Sequence, residues 1–122
     1  MDKNKKICIV LMADSSTHEN EGRALHALLF AQQAHEADSE VKLFFDGGGV
    51  EWAEKLPEHK ELSELYQDLV EKDIIGGVCS FCSGAFGVKD ELELAGAKML
   101  DEANGHPNIG KRVAEGWTPM IL

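Results

Sequence analysis

The sequence predicts one α/β domain over residues 1–122, with a single doubly wound, mainly parallel five-stranded sheet and helices on both faces. Five short apolar segments alternate with segments of helical periodicity along the chain. Strands joined through helices require right-handed crossovers, which produce parallel sheets of this kind. A chain of 122 residues is long enough to bury one core but too short for two.

The first strand and helix have clear signals. Residues 6–12 form a continuous apolar run, typical of a strand that is buried on both faces. Ser16, followed three residues later by Glu19, forms a capping box. This box predicts a helix that runs to about Glu36.

The second strand is predicted at residues 40–45, and it ends at Asp46 and three glycines. A short helical turn at residues 50–55 follows. Pro57 suits the first turn of the next helix, because proline lacks an N–H and its φ is already helical. Apolar residues then recur at helical spacing. They are Leu62, Leu65, Tyr66, Leu69 and Val70.

The last part of the chain repeats the alternation. We predict a third strand at residues 74–81, a helix at 85–94 and a short fourth strand at 97–100. A helix at 107–115 and a final strand at 117–122 complete the sheet. The proline in the final segment suggests a strand start or an edge strand.

The most informative segment is Cys79-Ser80-Phe81-Cys82, which places two thiols where the third strand gives way to a helix. The positive end of a helix dipole favours the thiolate, which is the reactive form of cysteine. We therefore predict a reactive pair in which Cys79 is partly exposed. The alternative is that both are small buried core residues, because free cysteine is among the most buried residue types.

Polar residues follow several of the predicted strands. Because the carboxyl ends of parallel strands meet at one edge of the sheet, these residues and Asp101 are expected there, beside the thiols. We predict a pocket at this edge. Its predicted lining residues are Asp14, Ser15, Ser16, Thr17, Asp46, Gly47, Gly48 and Ser83.

The sequence predicts neither a metal nor a cofactor. Structural zinc needs four ligands, and beyond the CxxC pair the chain offers only Cys8, in the middle of a strand, and five scattered histidines. His106, after the Asn104-Gly105 turn, is interpreted as a turn residue. His26, His35 and His59 are interpreted as solvent-facing helix residues, and His18 as an exposed turn residue. The glycine patterns of nucleotide or flavin sites are absent.

Charge and length exclude several functions. The net charge is −10, from 22 acidic and 12 basic residues, and such a surface repels phosphate backbones and anionic lipids. We expect no direct nucleic-acid binding and no membrane association, since no segment approaches the ~20 apolar residues of a membrane span. An odd cysteine count and the absence of a signal peptide predict a cytoplasmic protein.

Residues 7–12, Phe44-Phe45-Asp46-Gly47 and the pattern Cys79-x7-Gly87-Val88-x-Asp90-Glu91 resemble the DsrE/DsrF-like family. The resemblance implies a compact parallel α/β fold with flavodoxin-like layering, in a cytoplasmic oligomer, commonly a trimer or a hexamer. It also implies a relay of sulfur as a cysteine persulfide, with donor and acceptor proteins as partners. The family's acceptor cysteine matches Cys79. Cys82 is an addition to the pattern, and residues 101–116 are more similar to uncharacterised members.

Three functions are therefore expected from the sequence. The leading one is a sulfur carrier or sulfurtransferase-like protein that accepts sulfane sulfur on Cys79, with Cys82 as the second thiol. The second is a CxxC thiol-disulfide redox protein. The third is a non-catalytic oligomeric binding protein with packed thiols.

Overall fold

The computed structural model describes residues 5–122 and contains a five-stranded, all-parallel sheet, which confirms the predicted α/β fold. The strand order is β4-β3-β2-β1-β5. The strands are β1 Lys6–Leu11, β2 Glu40–Phe45, β3 Ile75–Cys79, β4 Met99–Leu100 and β5 Trp117–Ile121. The helices are α1 His18–Glu36, α2 Val50–Lys55, α3 Ser63–Glu71, α4 Ser80–Ala85, α5 Lys89–Leu94 and α6 Ile109–Ala114.

The two faces of the sheet are covered unequally. The chain moves in one direction from β1 to β4, so right-handed crossovers place α1 to α5 on one face. The step from β4 to β5 runs the other way and places α6 on the opposite face. The larger core, which includes Ile9 and Leu43, lies under the first group. A smaller cluster of Cys8, Phe44 and Leu100 lies on the other face.

The first helix begins differently from the prediction. Thr17, rather than Ser16, is the N-cap, and its side chain accepts the backbone N–H of Asn20 at 3.1 Å. The Ser16 hydroxyl instead donates to Asp14 Oδ1 at 2.6 Å. The predicted capping box is therefore wrong, and the N-cap lies one residue later, because the Ser16 hydroxyl bonds to Asp14 and not to the first turn of the helix.

The segment after α2 also differs from the prediction. Pro57 lies in a 3-10 turn, Leu56–Glu58, and α3 begins only at Ser63. His59 is not a solvent-facing helix residue. Its Nδ1 accepts the backbone N–H groups of Glu61 and Leu62, each at 3.1 Å, so it turns the chain toward α3.

The third strand is shorter than predicted and ends at Cys79, so Phe81 belongs to α4. Of the predicted helix at 85–94, only α5, Lys89–Leu94, is a helix within those bounds, and a separate short helix, α4, ends at Ala85. The two helices are separated by Gly87, which has a φ of +74°. A residue at positive φ cannot continue a right-handed helix, so the chain changes direction there.

The three glycines after β2 form a 3-10 turn, Gly47–Gly49, and do not form an open loop. A Cβ atom at Gly49 would lie 1.8 Å from the carbonyl oxygen of Leu11. Only glycine allows this close approach. The turn therefore fixes the end of β2 against the end of β1.

Candidate functional site

Four potential ligand residues converge at the carboxyl edge of the sheet. Asp46 follows β2, Cys79 ends β3, Cys82 lies in the first turn of α4, and His106 lies in the loop after β4. One ligand atom from each of the four lies within 4.8 Å of every other. Parallel strands bring these segments to one edge, as the sequence predicted for the first three residues.

Cys79 Sγ has three polar neighbours. His106 Nδ1 lies 3.2 Å away, the backbone N–H of Cys82 donates to the sulfur at 3.4 Å, and the carbonyl of Gly105 lies at 3.7 Å. The thiol proton is thus directed at either the imidazole or the carbonyl. His106 is the nearest group that can accept this proton fully.

The Cys79 side chain is fully buried. The predicted partial exposure of this thiol is therefore wrong. Burial is the largest cause that raises the pKa of Cys79, and together with the nearby Asp46 carboxylate it brings the value to about 12. The N–H of Cys82 acts in the opposite direction but is the smaller effect. The expectation of a favoured thiolate at Cys79 is wrong for the same reason.

Cys82 is the more accessible of the two thiols. Its side chain is partly buried, and its Sγ donates to Asp46 Oδ1 at 3.6 Å. The same carboxylate oxygen accepts the backbone N–H of Gly47 at 2.8 Å, which holds it at the start of the glycine turn. Each thiol therefore has its own proton acceptor, the imidazole for Cys79 and the carboxylate for Cys82.

His106 was missed as a functional residue in the sequence. It follows a tight turn in which Asn104 and Gly105 both have positive φ, as the predicted Asn-Gly turn requires. A Cβ at Gly105 would lie 3.1 Å from Cβ of Phe81, so glycine also allows the turn to approach α4. The sequence signal was its place after the fourth strand, at the same edge as the thiols.

Two contacts hold the His106 loop in place. The Phe81 ring packs on the imidazole with centroids 4.9 Å apart. On the other side of the loop, the Glu102 carboxylate accepts two bonds from the Arg112 guanidinium, at 2.7 and 3.0 Å, and one from the Asn108 N–H at 2.8 Å. The loop is therefore attached both to α4 and to α6.

Ser83 and Gly48 support the site through the backbone. Ser83 is fully buried, and its hydroxyl donates to the carbonyl of Cys79 at 2.7 Å. A Cβ at Gly48 would lie 2.7 Å from Cβ of Asp14, so this glycine lets the two loops approach closely.

The predicted pocket residues after β1 bond among themselves and to α1 and α2. Asp14 accepts bonds from Ser16 and from the Asn20 amide, and these bonds lower its pKa. The hydroxyl of Ser15 donates to Glu51 at 3.1 Å, and the Trp52 indole donates to the carbonyl of Asp14 at 3.1 Å. The ligand-binding role of Asp14, Ser15, Ser16 and Thr17 stays a prediction.

The predicted burial of Cys8 and the predicted exposure of three histidines are confirmed, although His18 is the first residue of α1 and not a turn residue. Cys8 is fully buried in the sheet, and His18, His26 and His35 are exposed. Among the described residues, none of the helices has the length and apolar character needed to cross a bilayer.

Comparison with known proteins gave two matches. The model of the DsrE/DsrF-like family matches residues 5–111. The uncharacterized protein MJ0733 of Methanocaldococcus jannaschii is 28% identical over 117 residues, covering 93% of this chain and 94% of that protein. No solved structure matches the chain.

Proposed function

Because the chain belongs to the DsrE/DsrF-like family, we propose that it is a sulfur carrier or sulfurtransferase-like protein that uses Cys79 and Cys82. The observation that carries the proposal is the site geometry. The two sulfurs lie within 4.8 Å of each other, and each has its own proton acceptor. A sulfur atom can therefore move between them over a short path.

Accessibility determines the order of the two thiols. Cys82 meets the donor first, because Cys79 is fully buried and Cys82 is not. Asp46 accepts the proton of Cys82, and the resulting thiolate attacks the outer sulfur of a donor persulfide, R–S–SH. A bond forms between Sγ and that sulfur while the bond to the donor breaks, and the donor leaves as a thiolate.

The second step stores the sulfur. His106 accepts the proton of Cys79, whose sulfur then attacks the outer sulfur on Cys82 and releases Cys82 as a thiolate. The persulfide then sits on Cys79, shielded from solvent. No oxidant is consumed, because sulfane sulfur is only transferred. Attack on the inner sulfur instead gives a Cys79–Cys82 disulfide and releases HS⁻.

Mass spectrometry tests the carrier function directly. The reduced protein, with a metal chelator present, is incubated anaerobically with inorganic polysulfide. We expect the wild type and Cys8→Ala to gain sulfur and the Cys79→Ser/Cys82→Ser double variant to gain none. The proposal fails if the wild type never gains sulfur, or if the double variant gains as much as the wild type.

The short distance between the sulfurs also favours a second function, a thiol-disulfide redox protein. The reduction potential of the Cys79–Cys82 pair separates the two, measured in glutathione buffers of known ratio. A potential far from the glutathione poise of the cytosol counts against routine redox cycling.

Self-association and a cytoplasmic location complete the proposal. β5 is an edge strand of the sheet, and Met120 and Ile121 on it are 36% and 63% exposed. Exposed apolar side chains on an edge strand favour pairing with another chain. We expect a homo-oligomer, a trimer or a hexamer, with sulfur donor and acceptor proteins as partners. Light scattering coupled to size exclusion measures the mass, and a monomer contradicts this part.

A further inference from the structure

We propose that Asp46, Cys79, Cys82 and His106 form a binding site for one Zn²⁺ ion per chain. The four supply two sulfurs, one imidazole nitrogen and one carboxylate oxygen, which are the ligand types that zinc takes in proteins. All four ligand atoms come from a single chain and lie within 4.8 Å of one another.

The distances between the ligand atoms suit a tetrahedral ion. Bonds of 2.0–2.3 Å to a central zinc place neighbouring tetrahedral ligands about 3.3–3.8 Å apart. Cys79 Sγ and His106 Nδ1 are 3.2 Å apart, and Cys82 Sγ and Asp46 Oδ1 are 3.6 Å apart. The remaining pairs are within 4.8 Å, so binding needs side-chain adjustments of about 1 Å.

The donor set selects the class of metal. Thiolates are poor ligands for Mg²⁺ and Ca²⁺, which prefer oxygen, whereas a tetrahedral set with two sulfurs and an imidazole suits zinc. Four protein ligands fill the coordination sphere, as in structural zinc sites. The two thiols that carry sulfur in the proposed function are therefore unavailable for it while zinc is bound.

The scaffold favours binding because the ligands come from fixed positions. The Asp46 carboxylate accepts the Gly47 N–H, and the buried hydroxyl of Ser83 donates to the backbone carbonyl of Cys79, which fixes the backbone that carries this thiol. The His106 ring packs against Phe81. Ligands whose own partners orient them lose less entropy when the ion binds.

Anaerobic titration of the reduced protein with Co²⁺ tests the site. We expect one equivalent to produce the thiolate-to-cobalt charge-transfer band in the near ultraviolet and the visible bands of a tetrahedral ion. Zn²⁺ should displace it stoichiometrically. Cys82→Ser, His106→Ala and Asp46→Asn should each weaken binding by more than the roughly 10–100-fold that loss of an outer partner costs.

Two matched controls accompany the ligand variants. Cys8→Ala removes a buried thiol outside the cluster, and His18→Ala removes an exposed imidazole; both should bind Co²⁺ as the wild type does. Circular dichroism checks folding, and Cys82→Ser and Asp46→Asn are near-isosteric changes at partly exposed positions. The proposal is overturned if the wild type gives no thiolate–cobalt band, or if the folded ligand variants bind as tightly as the controls.

The metal and the carrier proposals are tested independently. Cobalt absorption requires no sulfur donor, and the sulfur-loading experiment is done with chelator. A protein that loads sulfur but binds no cobalt refutes only the zinc site, and the reverse result refutes only the carrier.

Discussion

At the scale of single residues, the two cysteines of one motif have different environments. Cys79 ends a central strand and is fully buried, whereas Cys82, one turn into the next helix, is partly exposed. Burial in a low-dielectric region disfavours the charged thiolate, and this effect exceeds that of the single N–H from Cys82. A short helix start is thus not sufficient to activate a buried thiol.

We expect Cys82 to be alkylated first when the native, metal-free protein is treated with iodoacetamide. Cys79 and Cys8 are buried, so their reaction requires local opening, and we expect both to react about tenfold or more slowly. Peptide mass mapping at successive times gives the three rates. Equal rates for Cys79 and Cys82 would contradict the assigned burial. Three unreactive cysteines would favour the non-catalytic alternative.

At the scale of elements, the ends of helices and strands depend on single contacts. One hydroxyl group caps α1, and one glycine lets the turn after β2 approach β1. Both contacts lie in the loops that bring the strand ends together, so they shape the edge that carries the site.

Thr17→Ala should lower the free energy of unfolding by about 1 kcal/mol, because the Asn20 N–H loses its partner. Ser16→Ala, the matched control, should cost less, since the Ser16 hydroxyl makes a single bond, to Asp14, in an exposed position. Urea unfolding of both variants measures the difference. A larger loss of stability in Ser16→Ala than in Thr17→Ala would support the capping box predicted from the sequence.

Gly49→Ala should destabilise the protein by about 3 kcal/mol or more, because the new Cβ would overlap the carbonyl of Leu11. Gly22→Ala is the control, since Gly22 lies within α1 and its Cβ would meet nothing within 4 Å. That change should stabilise by about 0.5–1 kcal/mol. Thermal unfolding compares the two, and a neutral Gly49→Ala would mean that the turn can move away from β1.

At the scale of the whole molecule, the loop between β4 and α6 joins the site to the far face of the sheet. Glu102 in this loop pairs with Arg112 of α6, and the Arg112 guanidinium lies 4.4 Å from the centre of the Phe44 ring. The loop that carries His106 is thereby attached to the smaller core.

The Glu102–Arg112 pair should make stability depend on pH. The hydrogen bonds from Arg112 lower the pKa of Glu102 in the folded state. The pair therefore stabilises the fold at pH values above the pKa that Glu102 has in the unfolded chain. This contribution is lost as the pH falls through the folded pKa. Because the Glu102 side chain is 35% exposed, solvent screening limits the contribution to about 1 kcal/mol or less.

Urea unfolding of Glu102→Gln and the wild type at several pH values measures this contribution. The variant should be less stable at pH 7, and the difference should shrink below about pH 4. Glu54→Gln, which removes an exposed carboxylate with no ion pair among the described residues, should show no such dependence. A difference that stays constant down to acid pH would contradict the assigned pair.

Local patterns in the sequence determined the α/β class, the five strands and the position of the thiols, because hydrophobic periodicity and the CxxC spacing extend over only a few residues. The Asn104-Gly105 turn was readable for the same reason. The exact helix ends were not, since Ser16 and Thr17 can both cap a helix, and the loop conformation decides that Ser16 bonds to Asp14 while Thr17 accepts the Asn20 N–H.

Only the tertiary structure decided what surrounds the thiols. His106 lies 27 positions from Cys79 in sequence, and Asp46 lies 36 positions from Cys82. No local pattern relates residues so far apart; the order of the strands does, by setting which loops meet at the edge of the sheet. Burial of Cys79 likewise depends on side chains packed from several elements, so its protonation state follows from the fold and not from the motif.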